Sequence, residues 1–170
     1  MSTAVTEPLS RDRALRRAFS LYPTGVVALA AMVDGAPVGM AVNSFTSISL
    51  EPALVAVSAA RTSKTWPQLS SVPELGMSVL AADQESFSRR LSAREGDRFG
   101  DQARTVSPGG ALLIEGASLW LTCRPHATYD GGDHEIALFE IADVQVFDDV
   151  EPLVFHQSRY RSILGDAPRP

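Results

Sequence analysis

The sequence predicts a mainly β, antiparallel fold with a few short helices, arranged as a barrel or a sandwich. Three observations carry that prediction. Apolar runs of strand length recur at 26–33, 53–58, 75–80, 117–126 and 135–147. Turn signals such as Asp34-Gly35 and Gly131-Gly132-Asp133 join neighbouring runs as hairpins. The alternating crossover helices that a doubly wound parallel sheet needs do not occur between them. A chain of 170 residues and 18.2 kDa suits one domain, read as 10–164 between a flexible lead-in (1–9) and a flexible tail (165–170).

Each element has a local reason. Ser10 is placed to cap a helix over 11–21, in which Leu15, Ala18, Phe19 and Tyr22 form one apolar stripe. Pro23 and Gly25 end it. A strand over 26–33 leads through Asp34-Gly35 into a second over 37–43, then a serine-rich segment and a strand over 53–58. A polar connection follows, with a short helix over 64–69 interrupted at Pro67, and a strand over 75–80. Asp83 is the expected N-cap of a helix through 92 that turns Phe87 and Leu91 inward at i,i+4 spacing. The charged stretch 94–110 reads as a surface loop. Two long strands, 117–126 and 135–147, close the domain, and 152–164 packs back as a strand or short helix.

Composition excludes several classes. The 45% hydrophobic and 21% charged content is that of an ordinary globular chain. A net charge of −5 gives no electrostatic footprint for nucleic acid. Arg11, Arg13, Arg16 and Arg17 form a small basic cluster, read as a solvated helix face rather than a binding patch. Lys64 is the single lysine. The lone Cys123 excludes an intrachain disulfide and, within the apolar run 119–123, reads as a buried structural thiol. No run approaches the roughly 18–20 apolar residues of a membrane-spanning helix, and the first ten residues lack a secretory pattern. The expectation is a cytoplasmic protein without a membrane partner.

Chemistry concentrates in three places. Residues 39–52 carry Asn43, Ser44, Thr46, Ser47 and Ser49 in an otherwise strand-like segment that ends at Pro52. Strict alternation would put Asn43, Phe45, Ser47 and Ser49 on one face, although a bulge would break that assignment. Composition alone favours a polar edge strand; the other reading is a surface for a ligand rich in hydrogen-bond acceptors, such as a flavin. Second, Arg61-Thr62-Ser63-Lys64-Thr65 is either a hydrophilic loop or an anion site ahead of a helix. Third, Gly132-Asp133-His134 is either a plain turn or a device in which Asp133 orients an imidazole. No metal site is expected, because His126, His134 and His156 are widely spaced. Neither a nucleophile elbow nor a phosphate-cradling glycine motif is present.

Taken in order, these pieces resemble the flavin reductase-like family of FMN-binding split barrels. The matching marks are Tyr22-Pro23-Thr24-Gly25-Val26-Val27, Gly39-Met40, the run from Asn43 to Leu50 with Pro52, Leu80-Ala81, Asp97-Arg98-Phe99, Gly132-Asp133-His134, and Pro152-Leu153 with Tyr160. They extend over 14–164, nearly the whole chain. The resemblance implies an antiparallel Greek-key split β-barrel, a homodimer, and FMN or FAD bound near the interface. It also implies NADH or NADPH as hydride donor and a flavin-dependent monooxygenase that receives reduced flavin. Asn43, Ser44 and Phe45 would then lie against the flavin, with Thr46, Ser47 and Ser49 nearby. Ser63, Lys64 and Thr65 would approach its phosphate, and His134 would face the nicotinamide and the flavin ring. Tyr160 would complete the pocket, and Thr24, Ser58 and Phe99 belong to the same implied cofactor-binding set.

Two positions depart from the pattern. Ala41 stands where threonine is frequent, and Glu51-Pro52-Ala53 replaces a common Asp-Pro-Pro. Losing one hydrogen bond at position 41 costs about 0.5–1.5 kcal/mol, which favours a loosely held, substrate-like flavin. The activity implied is NAD(P)H:flavin oxidoreduction. The rivals are an oxidase or oxygenase that retains its flavin on the same scaffold, and a non-catalytic flavin-binding subunit.

Overall fold

The computed structural model describes residues 10–163. The stretches read as a flexible lead-in and tail, and the end of the last expected element, lie outside the described residues. The chain begins with α1 (Arg11–Phe19) and then forms β1 (Thr24–Gly25), β2 (Val27–Val33), β3 (Ala36–Val42), β4 (Thr46–Leu50) and β5 (Ala53–Ala60). After α2 (Trp66–Leu69) come β6 (Leu75–Val79), a 3-10 turn (Ala82–Gln84) and α3 (Glu85–Leu91). The remainder is β7 (Arg104–Val106), β8 (Leu112–Ile114), β9 (Leu119–Gly131), β10 (His134–Val146), β11 (Val154–His156) and β12 (Arg159–Arg161).

Seven strands form the main sheet, in the order β3-β2-β6-β9-β10-β5-β4, and every pair in it is antiparallel. Its outer strands, β3 and β4, are consecutive in the chain and joined only by residues 43–45. In a flat sheet those edges would stand about 29 Å apart, six intervals of ~4.8 Å. The four Cα steps from Val42 to Thr46 reach at most ~15 Å. The sheet therefore curls until its edges approach each other, while among the described residues β3 pairs only with β2 and β4 only with β5. The result is a barrel with an unpaired seam.

Alternation along β2 shows how the core is divided. Val27, Leu29 and Ala31 point into the curled sheet and join Val42, Val55, Val57, Leu75, Met77, Leu121, Cys123 and Phe139. Trp66 and Leu69 of α2 belong to the same cluster, and the indole meets the Phe139 ring edge-on at 6.3 Å. Val26, Ala28 and Ala30 face outward, into a second cluster with Phe87 and Leu91 of α3, Phe99, Leu112, Ile114 and Leu153. Burying each Leu, Val or Phe stabilises the fold by about 1.5–3 kcal/mol, so β2, covered on both faces, anchors both cores.

Several local expectations change. Ser10 makes no side-chain hydrogen bond as a cap, and no residue of α1 is buried; Leu15 and Phe19 are exposed. Asp83 is not a cap either: Gln84 Oε1 instead accepts the Ala81 N–H at 2.9 Å. Pro67 does not interrupt α2 but sits in its first turn, where a missing N–H costs nothing. The expected loop 94–110 contains β7, which pairs with β8. The Asp34-Gly35 hairpin forms as read, with φ values of +50° and +78° that suit a type I′ turn. Cys123 is buried as expected, and burial pushes its thiol up to about 12.

Gly76 of β6 lies where the backbone of β8 crosses the sheet, so a Cβ there would overlap the Leu112 carbonyl and its backbone. Backbone cannot rotate away as a side-chain end does. Gly76→Ala is expected to destabilise the fold by roughly 1–3 kcal/mol or more, read as a lower urea midpoint. An unchanged midpoint would contradict this packing.

Candidate functional site

The seam places the polar link. Val38, Met40 and Val42 of β3 face the inner core, so Ala41 and Asn43 face outward. Asn43 is exposed and lines a small cavity of about 180 Å³ with Ala41, Ser88, Ser92, Phe155 and Tyr160. Ser44 works differently. Its hydroxyl donates to the Ser58 carbonyl at 2.9 Å and accepts the Ser58 N–H at 3.0 Å. A side chain thus takes the place of a ladder rung and pins the link to β5. Phe45 packs against the inner core.

In β4 the expected alternation fails, because a register shift lies between Ser47, opposite Val55, and Ser49, opposite Leu54. Ile48 is the extra residue, and the bulge leaves it exposed. Thr46 and Ser47 are exposed and Ser49 is half-buried.

The second cluster follows β5. Ser63 Oγ accepts the Trp66 N–H at 3.1 Å and the Thr65 N–H at 3.3 Å, so it satisfies the orphan donors at the start of α2. Thr65 is buried, and its hydroxyl accepts from Arg98 Nη1 at 2.7 Å. The same nitrogen donates to the Gly39 carbonyl at 3.0 Å, which ties this loop to β3. Lys64, Thr65 and Gln68 line a cavity of about 440 Å³ with Gly39, Asp97 and Arg98. Arg98 belongs to the Asp97-Arg98-Phe99 mark but was not among the expected binding residues; only its contacts reveal its place. Asp97 Oδ1 accepts the N–H groups of Gly100 at 2.9 Å and Phe99 at 3.0 Å. Those bonds, Gly100's first, hold its carboxyl below the usual carboxylate range. Phe99 reaches the edge of this cavity, yet it is buried against Phe87 and the bare Cα of Gly39. It is a core residue that supports Arg98.

The third cluster sits against the same end of β5. Gly132 at φ +76° makes the β9–β10 turn, and His134 lies opposite Ala60. The Arg61 N–H donates to the Asp133 carbonyl, and its guanidinium donates to the Gly132 carbonyl and pairs with Asp130. Asp133 Oδ1 lies 2.7 Å from His134 Nδ1. That hydrogen bond, then the His134 charge and more weakly Arg16, lowers the Asp133 carboxyl. An ionised Asp133 accepts, so Nδ1 carries hydrogen and Nε2 is the ring nitrogen left to face a ligand. No group of His, Cys, Asp and Glu among the described residues is arranged to hold a metal.

Tyr160 and Thr24 stand on the three-stranded sheet β1-β11-β12. Tyr160 Oη is 2.8 Å from Ser88 Oγ, and its ring meets Phe155 edge-on. The Thr24 hydroxyl is buried without a partner among the described residues, which is the signature of a group awaiting a ligand or a water.

A phosphate-bearing ring cofactor fits this donor set. Lys64 and the remaining Arg98 donors supply cations beside a cavity, and Asn43 together with the unpaired backbone of the seam supplies neutral donors. Ser44, Ser63 and Thr65 already use their hydroxyls within the protein.

Comparison with known proteins assigns the family. The model of the family described as "Flavin reductase like domain" matches residues 19–164. The chain is 37% identical to the NADH-dependent FAD reductase of Streptomyces globisporus, with 92% of this chain and 89% of that protein covered. It is 36% identical to a flavin reductase of Pseudomonas putida, over 85% and 86% of the two chains. Among solved structures, the Streptomyces globisporus NADH:FAD oxidoreductase in complex with NAD and FAD fragments superposes with a TM-score of 0.88 at 34% identity, covering 97% and 100%. The flavin reductase component of a bacterial two-component tryptophan halogenase gives 0.83 at 32%, covering 89% and 98%. With a matching domain model over most of its length and relatives of this identity, the chain belongs to the flavin reductase-like domain family.

Proposed function

We propose that this protein is an NAD(P)H:flavin oxidoreductase that reduces FMN or FAD and releases the product to a partner monooxygenase. One observation carries the reading: Asn43-Ser44, Ser58, the 61–65 loop and Asp133-His134 all converge on one end of β5. Relatives named as NADH-dependent FAD reductase, NADH-dependent FMN reductase and monooxygenase reductase subunit support it. A bound flavin supplies the hydride-accepting chemistry.

The protein's part is to bind and orient. Lys64 and Arg98 hold the phosphate, with Ser63 and Thr65 shaping the loop that presents them. Asn43 and the backbone of 44–49 take the polar edge of the ring, with Phe45 and Ser58 behind the link. Tyr160 and Thr24 close the opposite side. His134, fixed through Nδ1 by Asp133, positions the nicotinamide. No protein nucleophile is needed, in keeping with a site built from amides, hydroxyls and cations. The protein works as a homodimer: Phe19 and Tyr22 are 71% and 74% exposed in one copy, and the interface covers them. No described helix is long and apolar enough to cross a membrane.

Two outcomes test the reaction itself. Protein mixed with NADH or NADPH and FMN, FAD or riboflavin oxidises at least one nicotinamide in a flavin-dependent way; no rate above background with any pair would refute the reading. His134→Ala lowers kcat about tenfold or more, roughly 1.4 kcal/mol of barrier, and leaves flavin Kd within about threefold; equal losses would move His134 into flavin binding.

Asp97→Ala frees the Arg98 loop, so FMN affinity falls several-fold while riboflavin, which lacks a phosphate, binds as before. Equal loss for both ligands would argue against a phosphate role. The Asp97 carboxyl is lowered on folding, so its contribution to stability is full above the ordinary carboxylate value, near pH 4. It is lost as pH falls through the lowered value. Urea midpoints of the wild type and Asp97→Ala should therefore converge in acid.

Light scattering on the purified protein gives twice the chain mass, about 36 kDa against 18.2 kDa. A monomer at micromolar concentration would overturn the dimer.

A further inference from the structure

We propose that the groove between α1 and the β11–β12 turn binds the phosphates of an adenosine nucleotide, as the adenylate half of a dinucleotide used by the enzyme. The proposal rests on the reductase reading only for which dinucleotide is bound.

The groove, of about 530 Å³, is lined by Arg13, Arg16, Arg17, Ser20 and Leu21 of the first helix region and by Gln157 and Ser158 of the turn. Its size falls within the range of small-molecule sites. Among the described residues its charged lining is entirely basic. At 100° per residue, Arg13, Arg16, Arg17 and Ser20 fall within an arc of about 100° on α1. Leu15 and Phe19 lie on the far side. The arginines therefore face their own chain, and the apolar stripe is left for the second copy.

Arginines in the last turn of a helix often serve its orphan carbonyls. Here that task is already done. The Arg16 carbonyl accepts from the Ser20 N–H, Arg17's from the Ser20 hydroxyl, Ala18's from Leu21, Phe19's from Tyr22 and Ser20's from Gln157. Among the described residues none of the three arginines enters an ion pair. Three like charges at i,i+3 and i,i+4 spacing repel one another, and an anion relieves that repulsion. The facing turn is the two-residue hairpin between His156 and Arg159, in which Gln157 and Ser158 adopt φ +52° and +59°, the positive values that a type I′ turn requires. The Gln157 N–H to the Ser20 carbonyl, 2.7 Å, clamps this turn to the helix.

Ser158 in the groove is two residues before Tyr160, about 7 Å along β12, and Tyr160 lines the cavity that holds Asn43. The two hollows thus flank one small sheet, within the span of a dinucleotide. The phosphates belong either to the nicotinamide donor or to FAD; FMN and riboflavin have no adenylate.

Calorimetric titration with ADP tests the site without turnover. Wild-type protein should bind ADP at least tenfold more tightly than adenosine. The double variant R16A/R17A should lose at least tenfold in ADP affinity, and R16K/R17K should keep most of it. With FMN as acceptor, a tenfold rise in KM for NADH assigns the site to the donor; a rise in KM for FAD but not for FMN assigns it to the flavin. ADP affinity unchanged in R16A/R17A, or no ADP binding by the wild type, overturns the proposal. So does an equal loss of ADP, FMN and riboflavin binding with a lowered Tm, which would make the arginines structural. ADP binding that depends on the arginines in a protein that oxidises no nicotinamide would retain the site and refute the reductase reading instead.

Discussion

Three residues between the outermost strands impose closure, and most of the structure depends on it. With β3 and β4 at opposite edges of a seven-stranded sheet and only 43–45 between them, the sheet has to curl. Curling creates an enclosed face, and the inward positions of β2, β5, β6, β9 and β10 are apolar because that face excludes water. It also leaves one end to be plugged, which Trp66 and Leu69 do. The outward face of β2 needs separate cover, supplied by α3 and β8. The inner core depends on the link, since it draws on β2 and β3 from one side of it and on β5 and β10 from the other.

Part of the polar excess in the serine-rich segment and in the 61–65 loop is used within the protein. Ser44 replaces a missing ladder rung at Ser58, Ser63 starts α2, and Thr65 receives Arg98. Each such bond contributes about 0.5–1.5 kcal/mol, and each would cost more if broken and left buried. The three hydroxyls support the site, and ligand recognition falls to Asn43, Lys64, Arg98 and the seam backbone. Substituting a supporting hydroxyl would therefore disturb loop placement before it disturbed any direct contact.

The strands were legible because burial on one or both faces writes itself into sequence as alternation or as an apolar run. The Asp34-Gly35 hairpin was legible because both positions need positive φ. Helix caps were less so: Ser10 and Asp83 have capping side chains, but Gln84, reaching back to Ala81, does that work for the 3-10 turn ahead of α3. The β4 bulge at Ile48 leaves no local mark, because Thr-Ser-Ile-Ser-Leu alternates well enough to pass for a regular strand. Phe99 and Arg98 show the same limit in the site. Adjacent in sequence, one is buried in the outer core and the other bonds across to Thr65 and Gly39. Which of two neighbours meets the cavity is set by tertiary packing.

The site lies at the seam for a physical reason. A fully paired barrel would consume every backbone donor and acceptor in its ladders and leave only side chains for recognition. Here the facing edges of β3 and β4 keep theirs unpaired among the described residues. Exposed edges ordinarily invite unwanted strand pairing. This one is guarded by curvature, by the bulge at Ile48 and by the Ser44 bridge, which hold the edges apart and prevent them from zipping. A ligand with many acceptors and donors along one side finds a ready-made row of partners there. The protein has kept one join in its sheet open, and the chemistry is gathered where that join meets the end of β5.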